Sequence, residues 1–467
     1  MSRFVVVLSA LLCALVIGLG SGSLALAQSS SRVPTAEDQD VIRLVMTEEN
    51  AGWTAETKYL LKAFEIANPI YRVELIIRKE DGFAKSIREL VARGEAPHLI
   101  LGPSTEIAGL YQTGHLSTQS PRNLNRALGA GAFLPGPLQV FRAGPQKELF
   151  GLPYHGWVQA IWYRKSWFQA LKLEPPTTIG ALVRAAETIK KAQHGIYGIV
   201  MGKEADVYGE QSFSMIALSL GLRVVDAEGV PNLNTPEFIG ALKIFKRLID
   251  TSPPEANSPV GRDYYFQDRV GMIVYSSHIM DDLALSSAAA RSLTGDNYSD
   301  LEGKPFNPNL LPDTGIVSAL EGIEKAAFGS VVGIAFGAQM DMNARLGAER
   351  LAWYLLRPDV HLSWIHKAPG GMLPTKGSLA QNQRFLHDLQ GVTRRYGSQQ
   401  IANLMEGMEV VRNLQLGQGS VDNMAARIMD AGILRRMVKA VASGRRTPEK
   451  AVREAQSEAM LIYQFSR

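Results

Sequence analysis

Residues 41–112 alternate between strand-like and helix-like patterns. Residues 72–78 carry apolar side chains at every second position, at Val73, Leu75 and Ile77, as a half-buried strand does. Residues 83–92 instead repeat apolar side chains at helical spacing and end at a glycine. The same patterns predict strands at 41–46 and 99–101, a helix capped by Thr54 and stopped by Asn68-Pro69, and a helix over 105–112.

Strands that alternate with helices predict an α/β fold with a parallel sheet covered on both faces. Ligands of such sheets bind at the carboxyl ends of the strands. In this chain those ends are a predicted loop over residues 48–53 and the segment 102–106. We therefore expect part of a binding site there.

The amino terminus carries the pattern of a cleaved signal peptide. A basic start at Arg3 precedes an apolar run that ends in Ala25-Leu26-Ala27, with small residues at the positions that signal peptidase reads. Cleavage after Ala27 would place the protein in the periplasm. Cys13, the only cysteine, follows Leu12 rather than a small residue, so we interpret it as part of the signal and not as a lipid anchor.

Composition narrows the possible functions only in part. Without Cys13 the chain has no cysteine for a disulfide, and its length predicts two or three lobes. A formal net charge of +4 argues neither for nor against an anionic partner. No zinc-protease, nucleophile-elbow or dinucleotide motif occurs, and residues 198–203 are one residue short of a phosphate loop. We therefore expect no catalytic residue, no metal and no cofactor.

Short segments spread along the chain resemble, in order, the signatures of one family. The chain is similar to the carbohydrate-binding class of extracellular solute-binding proteins of ABC importers, which includes the maltose-binding proteins. Two segments depart from the family pattern, with His98 where aspartate is usual and Asp268 in place of a glycine. The matching segments are 93–100, 114–116, 151–154, 161–165, 175–178, 266–272, 369–374 and 442–451.

The resemblance implies a two-lobed periplasmic-binding-protein fold of type II. Its ligand cleft lies between lobes that are joined by crossover hinge strands. We expect the crossings near 148–153, 308–315 and 365–372, where the glycine and proline content suits hinges. The first lobe would then comprise 28–149 plus 312–366, and the second 150–311 plus 367–467.

The resemblance also implies where a sugar or polyol is held. Aromatic rings would stack on its apolar faces, and polar groups would hold its hydroxyls. The expected contacts are Glu48, Glu49, Asn50, Trp53, Ser104, Thr105 and Glu106 in the first lobe, Tyr154, His155, Trp157, Tyr208, Glu210, Ser277 and His278 in the second, and Gly370, Gly371 and Met372 at the hinge.

Each of these residues also has a structural interpretation. Glu48 and Glu49 could belong to a solvated loop, and Trp53 could staple the following helix. Trp157 is favoured as a contact because it follows a turn-like segment at a predicted crossing, whereas Trp162 and Tyr163 lie in an apolar strand and are expected in the core. His278 stands where related maltose binders carry an aromatic residue, which favours a smaller or more polar ligand.

The implied function is capture of a small carbohydrate or polyol, followed by delivery to a membrane permease. We expect a monomer that binds no nucleic acid. Two alternatives stay open. The adjacent Tyr264 and Tyr265 could bind ferric iron, since tyrosinate is a hard oxygen ligand. A secreted glycosidase would instead need two carboxylates across the cleft.

Overall fold

The computed structural model describes residues 39–47, 51–254, 261–285, 307, 309–416 and 420–466. The predicted signal peptide and Glu48, Glu49 and Asn50 lie outside these residues. Among the helices of the described part, none is both long enough and apolar enough to cross a membrane.

Thirteen strands are defined within the described ranges. They are β1 Asp40–Thr47, β2 Tyr71–Arg78, β3 Leu99–Pro103, β4 Arg142–Ala143, β5 Glu148–Leu149, β6 Leu152–Arg164, β7 Tyr197–Val200, β8 Val270–Ser276, β9 Thr314–Val317, β10 Leu320–Glu321, β11 Lys325–Phe336, β12 Leu373–Pro374 and β13 Val411–Arg412.

Helices connect and cover these strands. They are α1 Ala51–Ala67, α2 Phe83–Ala92, α3 Ser104–Gln112, α4 Gln119–Leu128, α5 Pro135–Gln139, α6 Lys165–Ala170, α7 Ile179–Ala192, α8 Val207–Ser219, α9 Pro236–Ile249, α10 Gly261–Phe266, α11 Ile279–Ala284, α12 Leu310–Asp313, α13 Met342–Leu355, α14 Pro358–Ile365, α15 Gly377–Ala380, α16 Gln383–Leu386, α17 Val392–Glu409, α18 Asn423–Asp430, α19 Ile433–Ala442 and α20 Pro448–Phe465.

The first part of the chain folds as the alternating pattern predicts. Strand β1 pairs in parallel with both β2 and β3, so the predicted parallel sheet is confirmed. One boundary is wrong: α1 begins at Ala51, so Thr54 lies inside its first turn and does not cap it. Half-buried Trp53 packs against the core, and the Thr57 hydroxyl donates to its carbonyl oxygen at 2.9 Å. The first turn of α1 therefore already contains Trp53.

Two long antiparallel strands, β6 and β11, join the two halves of the main sheet, whose order is β2-β1-β3-β11-β6-β8-β7. The first part of β6 pairs with β11, and its last part pairs with β8 and β9. Beyond β6, the second long connection is therefore β11, downstream of the predicted crossing at 308–315. The residue bounds of the lobes stay a prediction.

The described part of the chain has two hydrophobic cores, the first of which extends under both halves of the sheet. Phe64, Phe83 and Phe141 belong to the first core, and Phe213 and Phe245 to the second. Trp162 is fully buried in the first core, which confirms the prediction that it belongs to the core. Two packed α/β units that share long strands form the two-lobed architecture that the resemblance implies.

Candidate functional site

A cavity of about 180 Å³ lies where the carboxyl ends of β1 and β3 meet the two long strands. Tryptophan rings from both halves of the molecule line it, together with two histidines and a few small polar groups. The lining residues are Met46, Thr47, Trp53, Glu80, Leu101, Pro103, His155, Trp157, His278, Ser330, Val332, Trp364, Gly371 and Met372.

Strand register places the floor of this cavity on one face of the sheet. Trp157 lies opposite Ser330, His155 lies opposite Val332, and Val332 lies opposite Pro103. Since side chains alternate between the faces of a strand, residues two apart on β6 and β11 point the same way. The floor thus spans β3, β11 and β6.

A β-bulge separates Tyr154 from this floor. The register of β6 and β11 shifts between Val332 and Gly333, so Tyr154 has no residue opposite it. Its ring stacks on His361 at 4.3 Å between centroids, and its carbonyl oxygen accepts a hydrogen bond of 2.9 Å from Thr375. Tyr154 was expected to touch the ligand, but its ring is buried and is not part of the cavity wall.

His155 and Trp364 form the most buried polar part of the wall. Only 8% of His155 and 3% of Trp364 is exposed, and their ring centroids are 6.5 Å apart. Neither His155 Nδ1 nor Trp364 Nε1 has a hydrogen-bond partner among the described residues. Burial and the nearby His278 lower the pKa of His155 to about 3, so its imidazole is uncharged at neutral pH.

Trp157 and His278 form the wall on the side of the second half. Their rings meet edge to face with centroids 5.8 Å apart, and Trp157 also meets Phe328 at 6.0 Å. Trp157 is half-buried and His278 is exposed. A half-buried ring that lines a cavity can offer an apolar surface to a ligand.

The first half contributes Trp53, Thr47 and Glu80. Trp53 projects from the first turn of α1, where it both packs on the core and lines the cavity. Thr47 ends β1, and exposed Glu80 follows β2. The cavity thus lies at the carboxyl edge of the parallel strands, as predicted.

The start of α3 holds other partners instead. The carboxylate of Glu106 accepts the Ala84 amide at 2.7 Å, which links α3 to the start of α2. Ser104 is buried and Thr105 is exposed, and none of the three lines the cavity. Pro103, one residue earlier, does.

Tyr208 and Glu210 also lie away from the cavity wall. The Tyr208 hydroxyl donates to the Val274 carbonyl oxygen at 2.6 Å, and Glu210 pairs with Arg435 at 2.8 Å. Both side chains are buried, and burial, only partly opposed by Arg435, raises the pKa of Glu210. These contacts hold α8 to the second half.

The hinge segment after α14 has two roles. Gly370 makes packing contacts, and the next two residues line the cavity. The Ser277 hydroxyl donates to the Gly370 carbonyl oxygen, and the positive φ of 85° at Gly370 suits glycine. A Cβ atom on Gly370 would lie 2.2 Å from the Ser277 carbonyl oxygen. Gly371 and Met372 line the cavity, so the segment brings the cavity wall against the start of α11.

Several lining residues escaped the sequence analysis. Trp364 lies on α14, which the family motifs bracket but do not include, and Ser330 and Val332 lie in a strand for which no site was expected. Their position becomes clear only when β11 pairs with β6. Met46 and Leu101, by contrast, end predicted strands and could have been added by the rule that ligands bind at carboxyl ends.

The iron alternative rested on Tyr264 and Tyr265, and both are buried in the core. The Tyr265 hydroxyl lies 2.9 Å from that of Thr314, and burial raises its pKa, which opposes tyrosinate. No cluster of three or more metal-ligating acids, histidines or cysteines occurs among the described residues. Of the lining residues, Glu80 is the one carboxylate in the described ranges.

Comparison with known proteins gives one family and one fold. Residues 50–290, more than half of the chain, match the family model of the bacterial extracellular solute-binding proteins. YcjN of Escherichia coli K12, provisionally named an ABC transporter periplasmic-binding protein, is 25% identical over 316 residues, 68% of each chain.

Solved structures agree in fold. A solute-binding protein of Agrobacterium radiobacter K84, in complex with ribitol, aligns with a TM-score of 0.64 at 20% identity, over 91% of this chain and 99% of that one. The sugar-binding protein MalE of Xanthomonas citri aligns with a TM-score of 0.70 at 16% identity, over 91% and 98%. At these identities the likeness concerns the two-lobed fold.

Proposed function

The chain belongs to the family of bacterial extracellular solute-binding proteins, and from that premise we propose that it captures a small carbohydrate or polyol for an ABC importer. The observation that carries the proposal is the cavity walled by Trp53, Trp157 and Trp364 where the two halves meet. Aromatic rings supply faces on which the C–H side of a sugar packs. Neighbouring polar groups then fix its hydroxyls.

The distribution of polar groups in the cavity wall supports a binding role rather than a catalytic one. A glycosidase places two carboxylates on opposite sides of its substrate. The described wall offers Glu80 alone, at the exposed rim, while the buried wall carries His155 and Trp364. We propose no catalytic residue and no cofactor.

Delivery to the importer would follow from closure of the two lobes. The wall draws Trp53 from one side and Trp157 from the other, so a ligand that contacts both binds a closed form more tightly than an open one. A permease can distinguish the two shapes. The proposal includes export through a cleaved signal peptide rather than a lipid anchor, and action as a monomer that binds no nucleic acid.

The direct test is a thermal-shift screen of residues 28–467 against sugars and polyols, followed by calorimetry. A ligand present at about 100 times its Kd should stabilise the protein by about 2.7 kcal/mol. Small-angle scattering with that ligand should show a smaller radius of gyration. If a broad panel gives no shift and no heat, the carbohydrate proposal is wrong.

A further inference from the structure

We propose that the cavity selects uncharged, polyhydroxylated ligands over their phosphorylated forms, with His155 and Trp364 as the residues that hydrogen-bond the ligand's hydroxyls. The inference rests on the proposed function and narrows it. The family resemblance implies only a small carbohydrate or polyol and does not specify its charge.

The first observation is the charge of the wall. No lysine or arginine is among the described lining residues, and Glu80 adds a negative charge at the rim. Phosphate sites in proteins are built from arginine, lysine or clustered backbone amides. A phosphate group bound here would lose its water without gaining a cation among the described lining residues.

Among the described residues, helix amino termini oppose this preference. Helices α1 and α3 begin at the same edge of the sheet, and a helix amino terminus attracts an anion by about 0.3–1 kcal/mol. Glu106 already places a carboxylate in the first turn of α3. Transferring an unpaired anion out of water costs several times more free energy than its interaction with one helix terminus supplies. An anion is therefore disfavoured.

The second observation is the pair of unsatisfied polar atoms in the wall. Trp364 Nε1 is a donor, and a neutral imidazole offers one donor and one acceptor. Both residues are more than nine-tenths buried, and neither Nε1 of Trp364 nor Nδ1 of His155 has a partner within the described ranges. Both atoms are themselves buried in this conformation, so a rotation of either ring toward the cavity is needed before a ligand hydroxyl, which both donates and accepts, can satisfy it.

A quaternary ammonium ligand fits this pair less well. Tryptophan faces can hold such a cation, and Glu80 would favour it. It has no acceptor, however, for the buried N–H of Trp364, which would stay unpaired at a cost of about 1–3 kcal/mol. An uncharged hydroxyl offers both an acceptor for the Trp364 N–H and a partner for the His155 imidazole.

The test uses matched pairs of probes on residues 28–467: ribitol with ribitol 5-phosphate, glucose with glucose 6-phosphate and tagatose with tagatose 6-phosphate, together with choline. Calorimetry should find binding among the neutral members and at least about 100-fold weaker binding of each phosphate. A phosphorylated member or choline that binds as tightly as its best neutral counterpart would overturn the inference and leave a binding protein. Silence across these probes and across the broad screen of sugars and polyols would instead overturn the proposed function.

Variants then assign the two residues. Trp364→Phe keeps a ring and removes only the N–H, so affinity for the tightest neutral probe should fall about tenfold, with little change in Tm. His155→Phe should act in the same direction. The matched control is Trp162→Phe: the Trp162 N–H donates to the Tyr275 carbonyl oxygen at 3.0 Å, so Tm should fall while Kd stays the same. Wild-type affinity in Trp364→Phe would remove that residue from the site.

Discussion

The two halves of strand β6 differ in how their polar groups are paired. In residues 152–158, the Tyr154 hydroxyl and Nδ1 of His155 have no partner in the described part of the chain. In residues 159–164, the Trp162 N–H reaches a carbonyl oxygen, and Arg164 pairs with both Asp268 and Asp313. Both halves belong to the same strand, and both are mostly buried.

The contrast distinguishes polar groups whose hydrogen bonds stabilise the fold from polar groups that the described fold leaves unpaired. A buried polar group without a hydrogen-bond partner costs about 1–3 kcal/mol of folding free energy. A strand is expected to keep such a group only where another interaction offsets that cost. His155 lies in the cavity wall, where a bound hydroxyl can do so. Gln159, at the junction of the halves, is fully buried with neither amide atom paired among described residues, and nothing in the structure explains it.

The strongest test of the contrast removes the paired arginine. Arg164 is 5% exposed, and its Nε donates to Asp313 at 2.8 Å. Arg164→Met leaves the two carboxylates without their cation and should lower the free energy of unfolding by about 3 kcal/mol. Denaturant titration measures this loss, and ligand affinity of the folded fraction should not change.

The control for this variant is Arg247→Met, which breaks a largely exposed pair with Glu187 at 2.9 Å. Such pairs contribute less than about 1 kcal/mol. Equal losses in the two variants would mean that the second half of β6 is not held by its buried pairing.

Much of this fold followed from the sequence because local patterns encode it. Period-two and helical spacing define the first strands and helices, and glycine marks the end of α2. The predicted start of α1 was too late in the chain. Trp53 packs against the core, and this tertiary contact leaves no signal in the local sequence pattern. Asp268, the departure from the family glycine, adopts a φ of 59° and pairs with Arg164, which only the structure reveals.

The site was less predictable because it depends on register and on packing between distant segments. A single extra residue in β6 directs Tyr154 toward His361 and leaves His155 and Trp157 facing the cavity. Trp364 arrives from α14, roughly two hundred residues later in the chain. Some segments that the family resemblance implied line the cavity, whereas 104–106 and 208–210 do not. Within a lining strand, the pleat decides which side chains reach the cavity.

Two tryptophans, Trp157 and Trp162, sharpen the contrast within one strand. Trp157→Ala should weaken binding of the tightest neutral sugar or polyol by about 2 kcal/mol, since buried aromatic anchors dominate affinity. Its Tm should change little because the ring is only half-buried. Calorimetry and thermal melts measure both quantities. Unchanged affinity with a large loss of Tm would place Trp157 with the stabilising residues.

Acid should act on the two halves in different pH ranges. Burial holds the pKa of His155 near 3, below its ordinary value of about 6.5, so the unfolded chain binds the extra proton first and stability falls as pH drops below about 6.5. Between pH 7 and 5 this residue alone accounts for about 2 kcal/mol. Burial raises the pKa of Asp313, but hydrogen bonds from Ser166 and Arg164 outweigh it, so the pKa is lowered and its stabilisation is lost only below about pH 4.

Urea titrations of wild type and His155→Phe at pH 7, 5 and 3.5 separate these ranges. The variant should lose less stability between pH 7 and 5 and should keep the loss below pH 4. His194→Phe, at an exposed position, serves as the control and should follow wild type. Parallel curves for wild type and His155→Phe would show that His155 is not buried as a neutral ring.

The smallest effect concerns two tyrosine hydroxyls. Tyr208 donates to the Val274 carbonyl oxygen, on the strand that pairs with the second half of β6, whereas the Tyr154 hydroxyl has no described partner. Removing a satisfied hydroxyl leaves that carbonyl oxygen unpaired, so Tyr208→Phe should cost about 1 kcal/mol of unfolding free energy. Tyr154→Phe removes an unpaired group and should be neutral or slightly stabilising. Neither ring lines the cavity, so Kd should stay the same in both variants. A loss in Tyr154→Phe as large as in Tyr208→Phe would show that the first half of β6 is as fully paired as the second.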